Sequence, residues 1–126
     1  MSANNNYKHA PVWRKSMDLA IAVNHVVRAF PENEKEFQGL SCQLLQAAIR
    51  IPSRIAESRQ SFSYQPEEML QMARFHLSET EFLLEVSLHL GYIPEIDWIR
   101  LADSMRDIRE LINSSLRKQE QRAVLH

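Results

Sequence analysis

Apolar residues recur along almost the whole chain at steps of three and four, and the two-residue alternation of a half-buried strand is nearly absent. The pattern predicts four helices. In the first, starting near Pro11, the residues Val12, Ser16, Leu19, Val23, Val26 and Phe30 share one face. Pro31 ends it, because the residue before a proline is pushed out of helical conformation. Residues 32–36 form a charged connection. The second helix starts near Gln38 or Gly39 and turns Leu40, Leu44, Ala47, Ala48, Ile51, Ile55 and Ser58 inward. Pro52 falls inside that stripe, where it removes a backbone hydrogen bond and crowds the carbonyl of Ala48. The apolar spacing continues through it, which favours one Pro-kinked helix over two helices broken at Ile51.

The third helix begins near Pro66, with Glu67 and Glu68 beside its positive end, and Gly91 closes it with Pro94 beyond. Its inward set is Leu70, Ala73, Leu77, Thr80, Leu84 and Leu88. The fourth, residues 95–118, turns Trp98, Leu101, Met105, Ile108, Ile112 and Ser115 inward. Long amphipathic helices joined by short connections predict an all-α fold, an antiparallel up-down four-helix bundle over residues 10–118. Residues 1–9 are expected to be a disordered tail and residues 119–126 a flexible one.

The third helix carries a second apolar stripe. With Leu70 at 0° and about 100° per residue, its inward set clusters near 320°, and Met72, Phe75, Phe82 and Val86 fall at about 120–200°, on the far side. Gln71, Arg74, Ser78, Glu81, Glu85 and His89 make a polar stripe between them. A helix in a simple bundle needs one apolar face. The second must be covered by this chain's own loop or tail (Phe62, Tyr64, Val124 or Leu125), by another copy of the chain, or by a foreign partner. Self-association is the favoured reading, since exposed apolar patches commonly mark interfaces.

Composition narrows the function. The 126 residues are 44% apolar and 25% charged, ordinary for one globular domain. The formal net charge of −1 gives no overall basic field to hold nucleic acid. One cysteine, Cys42, excludes an intrachain disulfide, and two glycines exclude a Walker loop or a GxGxxG turn. No secretory signal and no membrane-spanning stretch is legible, so a cytoplasmic protein is expected. The five histidines form no i, i+3 or i, i+4 pair with one another, so no metal or other cofactor is expected. The carboxylates Glu57, Glu79 and Glu81 lack any recognisable catalytic context, and an ion pair of Glu57 with Arg54 or with another helix's arginine is the simpler reading. His76 and Glu79 read as a surface contact. No enzyme is expected.

Charge is uneven. Residues 38–62 carry Arg50, Arg54, Arg59 and Glu57, net +2, while residues 66–91 are net −4. Arg50 and Arg54 lie four apart on one helix face. Two readings stand: ion pairs between the second helix of one subunit and the third of another, or a nucleic-acid surface built from Arg50, Arg54 and Arg59, since arginine forks suit phosphate oxygens.

Several strings resemble a known family. Val12-Trp13, Ser16-Met17-Asp18-Leu19, Phe30-Pro31, Gly39-Leu40-Ser41-Cys42-Gln43-Leu44, Ala47-Ala48, Ile51-Pro52-Ser53-Arg54-Ile55-Ala56-Glu57 and Leu90-Gly91-Tyr92-Ile93 are similar to the four-helix bundle proteins encoded in 23S rRNA intervening sequences. The resemblance implies a ring-like homopentamer. It also extends in fold to the accessory variability determinant proteins of diversity-generating retroelements, which partner a reverse transcriptase and bind nucleic acid through basic surfaces. The chain departs from the family pattern at Phe75-His76, where a Gly-Ser pair is usual, and at Leu45-Gln46, where Arg-Arg is usual.

Overall fold

A computed structural model describes residues 7–60 and 65–125, with four α-helices and no strand among them. The helices are α1 (Pro11–Val27), α2 (Leu40–Ser58), α3 (Pro66–His89) and α4 (Glu95–Leu125). Each packs on its neighbours in sequence, and α1 against α4 closes the ring, with α2 and α3 the most extensive pair. This is the expected up-down four-helix bundle. Its core is one cluster that includes Leu19, Val23, Leu44, Ile51, Ile55, Leu77, Leu84, Met105, Ile108 and Ile112. Burial of these apolar groups is the main driving force for folding.

Four of the buried hydroxyls are satisfied within their own helices, while the buried Ser41 Oγ has no partner among the described residues. Ser16 donates to the Trp13 carbonyl at 2.8 Å, Ser58 to Ile55 at 2.6 Å, Thr80 to His76 at 2.8 Å and Ser87 to Leu83 at 2.8 Å. Such back-bonding lets a small polar side chain occupy a core position without an unpaired donor. α2 runs unbroken through the buried Pro52, as one helix and not two.

Boundaries differ from expectation at three places. α1 ends at Val27 and not at Phe30. The Arg28, Ala29 and Phe30 N–H groups donate to carbonyls three residues back, a tightened final turn, and Phe30 leaves the helix under the constraint of Pro31. Phe30 is nevertheless buried, against Tyr92 at a ring separation of 5.4 Å. At the other end, α4 continues past Lys118 to Leu125, because residues 119–125 contain good helix formers and neither glycine nor proline. Residues 7–9 form a 3-10 turn, with Tyr7 edge-on against Trp13 at 5.3 Å. The remainder of the expected N-terminal tail, residues 1–6, lies outside the described residues, as do residues 61–64 and His126.

α3 ends as its glycine requires. Gly91 has φ +78°, its N–H donates to the Leu88 carbonyl, and the Tyr92 N–H donates to Ser87. That pair of bonds is the Schellman arrangement. Beyond it, the Tyr92 hydroxyl donates to Glu34 Oε2 at 3.1 Å, and Glu34 sits in the 3-10 turn Glu32–Lys35 before α2. The hydrogen bond to Glu34, then burial, then the Glu34 charge raise the Tyr92 phenol above its ordinary value. The bond's contribution is therefore present below the unfolded tyrosine value and is lost as pH rises through the higher folded one. A tyrosinate absorbance titration, wild type minus Tyr92→Phe, is expected to show a phenol ionising later than a free tyrosine. A difference curve at the free-tyrosine position would refute the link.

Candidate subunit interface

α3 meets α2 on one flank and α4 on the other, which leaves one longitudinal face unpartnered within the chain. Leu70, Ala73, Leu77, Thr80, Leu84 and Ser87 are buried; Ser87 takes the core position expected of Leu88, which is half-buried. Opposite them, Phe75 is 66% and Phe82 64% exposed, and Met72 and Val86 are half-buried beside them. Of the residues that might have covered the rings from within the chain, Val124 is itself 85% exposed. Phe62, Tyr64 and the Leu125 side chain lie outside the described residues.

The polar stripe of α3 has a use that the sequence did not reveal. Arg74 donates to Asn113 Oδ1 at 2.9 Å, Arg109 of α4 donates to Ser78 at 3.2 Å, and Arg109 also pairs with Glu81. These side chains line the seam with α4, so the stripe is a polar rim on a helix–helix contact. On the other flank, His76 is more enclosed than a surface contact would be: its side chain is 11% exposed. Its Nδ1 lies 3.1 Å from Glu79 Oε1, its ring meets Phe75 edge-on at 5.5 Å, and its buried Nε2 has no partner among the described residues.

The three arginines do not converge. Arg50 is exposed on the outward face of α2. Arg54 is half-buried and donates to Glu57 Oε1 at 2.9 Å, which accounts for the carboxylate of Glu57. Arg59 caps α2 and turns toward α4, where its guanidinium lies 3.5 Å from Ser115 Oγ. Burial first, and Arg122 second, hold Arg59 below its ordinary value. Cys42 is half-buried and accepts a weak hydrogen bond from Gln46 at 3.4 Å. Among the described residues no three His, Cys, Asp or Glu side chains are placed to hold a metal ion, and no helix is long and apolar enough to cross a membrane.

Sequence reading passed over Ile49. It is 50% exposed next to Arg50 on α2, one step off the inward stripe, and only its departure from that stripe could have flagged it.

The comparisons agree with the architecture. The chain aligns over 84% of its length, and over 95% of the other chain, with a crystal structure of a protein of unknown function from the S23 ribosomal protein family of Bacteroides thetaiotaomicron, at 25% identity and a TM-score of 0.74. No curated protein matches the chain. Neither this neighbour's description nor the family's names a reaction. The family described as 23S rRNA-intervening sequence protein matches residues 8–114, which takes in α1, α2, α3 and most of α4, and the chain belongs to that family.

Proposed function

We propose that the chain is a non-catalytic bundle that works as a homo-oligomer, with the outer face of α3 as the subunit contact and, following the family resemblance, five subunits in a ring. The observation that carries this reading is the pair of rings, Phe75 and Phe82, exposed on one line and bordered by Met72 and Val86. Burying the rest of each ring contributes about 1–2 kcal/mol per subunit contact.

The occupant is a second copy on grounds of charge. A closed ring of more than two subunits joins two different surfaces of the chain. Residues 66–91 are net −4, and although Glu81 is taken by Arg109, Glu68 and Glu79 lie on the side of the two rings. The outward face of α2 brings Arg50 with the exposed Ile49, an apolar and cationic counterpart. Opposed charge steers association and fixes register more than it adds affinity.

Phe82→Glu is expected to leave far-UV helicity unchanged and to reduce the native mass, measured by light scattering, to that of the 14.7 kDa chain. The substitution changes a side chain that is 64% exposed in the single chain, so its fold cost is small while its cost at an apolar contact is large. A variant that keeps the wild-type multimer refutes the assignment of this face.

A further inference from the structure

The inward stripe of α4 gains a polar edge at one end of the bundle. Leu101, Met105, Ile108 and Ile112 are buried. Leu116, four residues further on, continues the core, and beside it Ser115, Gln119 and Arg122 form a polar and cationic edge that keeps the same alternation of four and three residues. These three, with Lys118 beside them, line a cavity of about 460 Å³. Arg59 and Gln60 close it from the end of α2, and the start of α3 borders it at Pro66. Three cations thus line one concave space. Among the described residues no carboxylate lies within ion-pair distance of Arg59, Lys118 or Arg122, and Glu67 and Glu68 of the neighbouring α3 turn do not line the cavity.

We propose that this cavity binds a compact phosphate-class oxyanion, phosphate or pyrophosphate, free or as the terminal group of a larger molecule. The chemistry fits. Two guanidinium groups and an ammonium supply charge-assisted donors, and the Ser115 hydroxyl and the Gln60 and Gln119 amides supply neutral ones. The volume lies within the range of small-ligand pockets. Burial first and the Arg122 charge second depress Arg59, and a bound anion offsets both. The competing account is that cations sit favourably at helix C-termini. That account explains each charge singly; it does not require three of them to border one cavity.

The test uses the full chain and inorganic pyrophosphate, titrated calorimetrically at low salt. Saturable binding of one pyrophosphate per chain is expected. It should weaken at least tenfold in the double variant Arg59→Gln/Arg122→Gln and in Lys118→Gln, and change less than twofold in Arg28→Gln, an exposed arginine outside the cavity. Without anion, the double variant is expected to melt at or above the wild-type temperature, because a repulsion has been removed. No pyrophosphate binding up to millimolar concentration overturns the proposal, as does binding that Arg28→Gln weakens equally. A lower melting temperature combined with unchanged pyrophosphate affinity identifies the cations as helix caps and also overturns it. A short single-stranded RNA, with and without a 5′-phosphate, separates the sources. Preference for the phosphorylated end places a strand terminus in the cavity, and equal binding of the two, with pyrophosphate still bound, leaves a small molecule as the occupant. RNA binding without pyrophosphate binding indicates a diffuse polyanion surface and refutes the site.

Discussion

Leu77→Ala is expected to lower the free energy of unfolding by about 3–5 kcal/mol, because it removes apolar atoms from a fully buried site and leaves a cavity that neighbouring side chains fill only partly. Leu77 lies midway along α3, the helix that packs on both α2 and α4, so three helices share the vacated space. A domain of this size is stable by about 5–15 kcal/mol, so the loss is a large share of the total and corresponds to a melting point lower by about 10–20 °C. Phe82→Ala is the control. It removes a larger side chain from the same helix, but one 64% exposed in the single chain, and should cost the monomer little. Urea unfolding followed by circular dichroism separates the two, with both variants and the wild type held at one protomer concentration low enough that assembly does not enter the comparison. A loss below about 1 kcal/mol for Leu77→Ala would contradict the placement of this residue in the core.

Gly39→Ala is expected to destabilise the fold by about 1–3 kcal/mol, although such a change at a helix start is ordinarily neutral or favourable. Gly39 has φ −69°, which any residue adopts, so backbone strain is not the cause. Space is. A methyl group there would overlap the Glu34 carbonyl oxygen and stand 2.7 Å from its carbon and 2.9 Å from the Glu36 carbonyl oxygen. All three are backbone atoms of the turn before α2, and the Gly39 N–H is itself held by Glu36 at 2.8 Å. The entropy gained from a stiffer unfolded chain, about 0.4–1 kcal/mol, is smaller than the cost of moving that turn. Movement would also disturb Glu34, which accepts from Tyr92, so the variant should bring the Tyr92 titration back toward that of free tyrosine. An unchanged melting temperature together with an unchanged Tyr92 titration would show that the turn yields freely. Gly91 makes the contrast: nothing lies within 4 Å of a methyl group there, and its requirement for glycine comes from φ alone.

Much of the fold was legible from spacing. Of the α2 residues expected inward, all but the half-buried Leu40 are buried, and the α3 stripe is displaced only where Ser87 takes the place of Leu88. Helix starts at Pro11 and Pro66 and the stop at Gly91 followed from proline's fixed φ and glycine's access to positive φ. Less was legible at the helix ends. Phe30 keeps the apolar phase of α1 while lying outside the helix, since periodicity reports which side of the chain is buried and not whether the last turn is tightened. For the candidate interface, spacing placed Phe75 and Phe82 opposite the core, and the fold leaves them uncovered among the described residues. It did not foresee that the adjacent polar stripe is spent on α4 through Arg74, Ser78 and Glu81, because their partners Asn113 and Arg109 are some thirty to forty positions away.

The sequence by itself determined four helices, their order, the face each turns inward, and a third helix apolar on two sides, because all of these follow from residues within a few positions of one another. Tertiary structure alone decided what the polar and charged groups do. Arg50, Arg54 and Arg59 look alike along the chain, yet one is exposed, one is bound to Glu57, and one turns toward Arg122. A side chain's charge is local, but its partner is set by which helix ends the packing brings together. Here the ends of α2 and α4 meet, and cations more than fifty residues apart come to line one cavity.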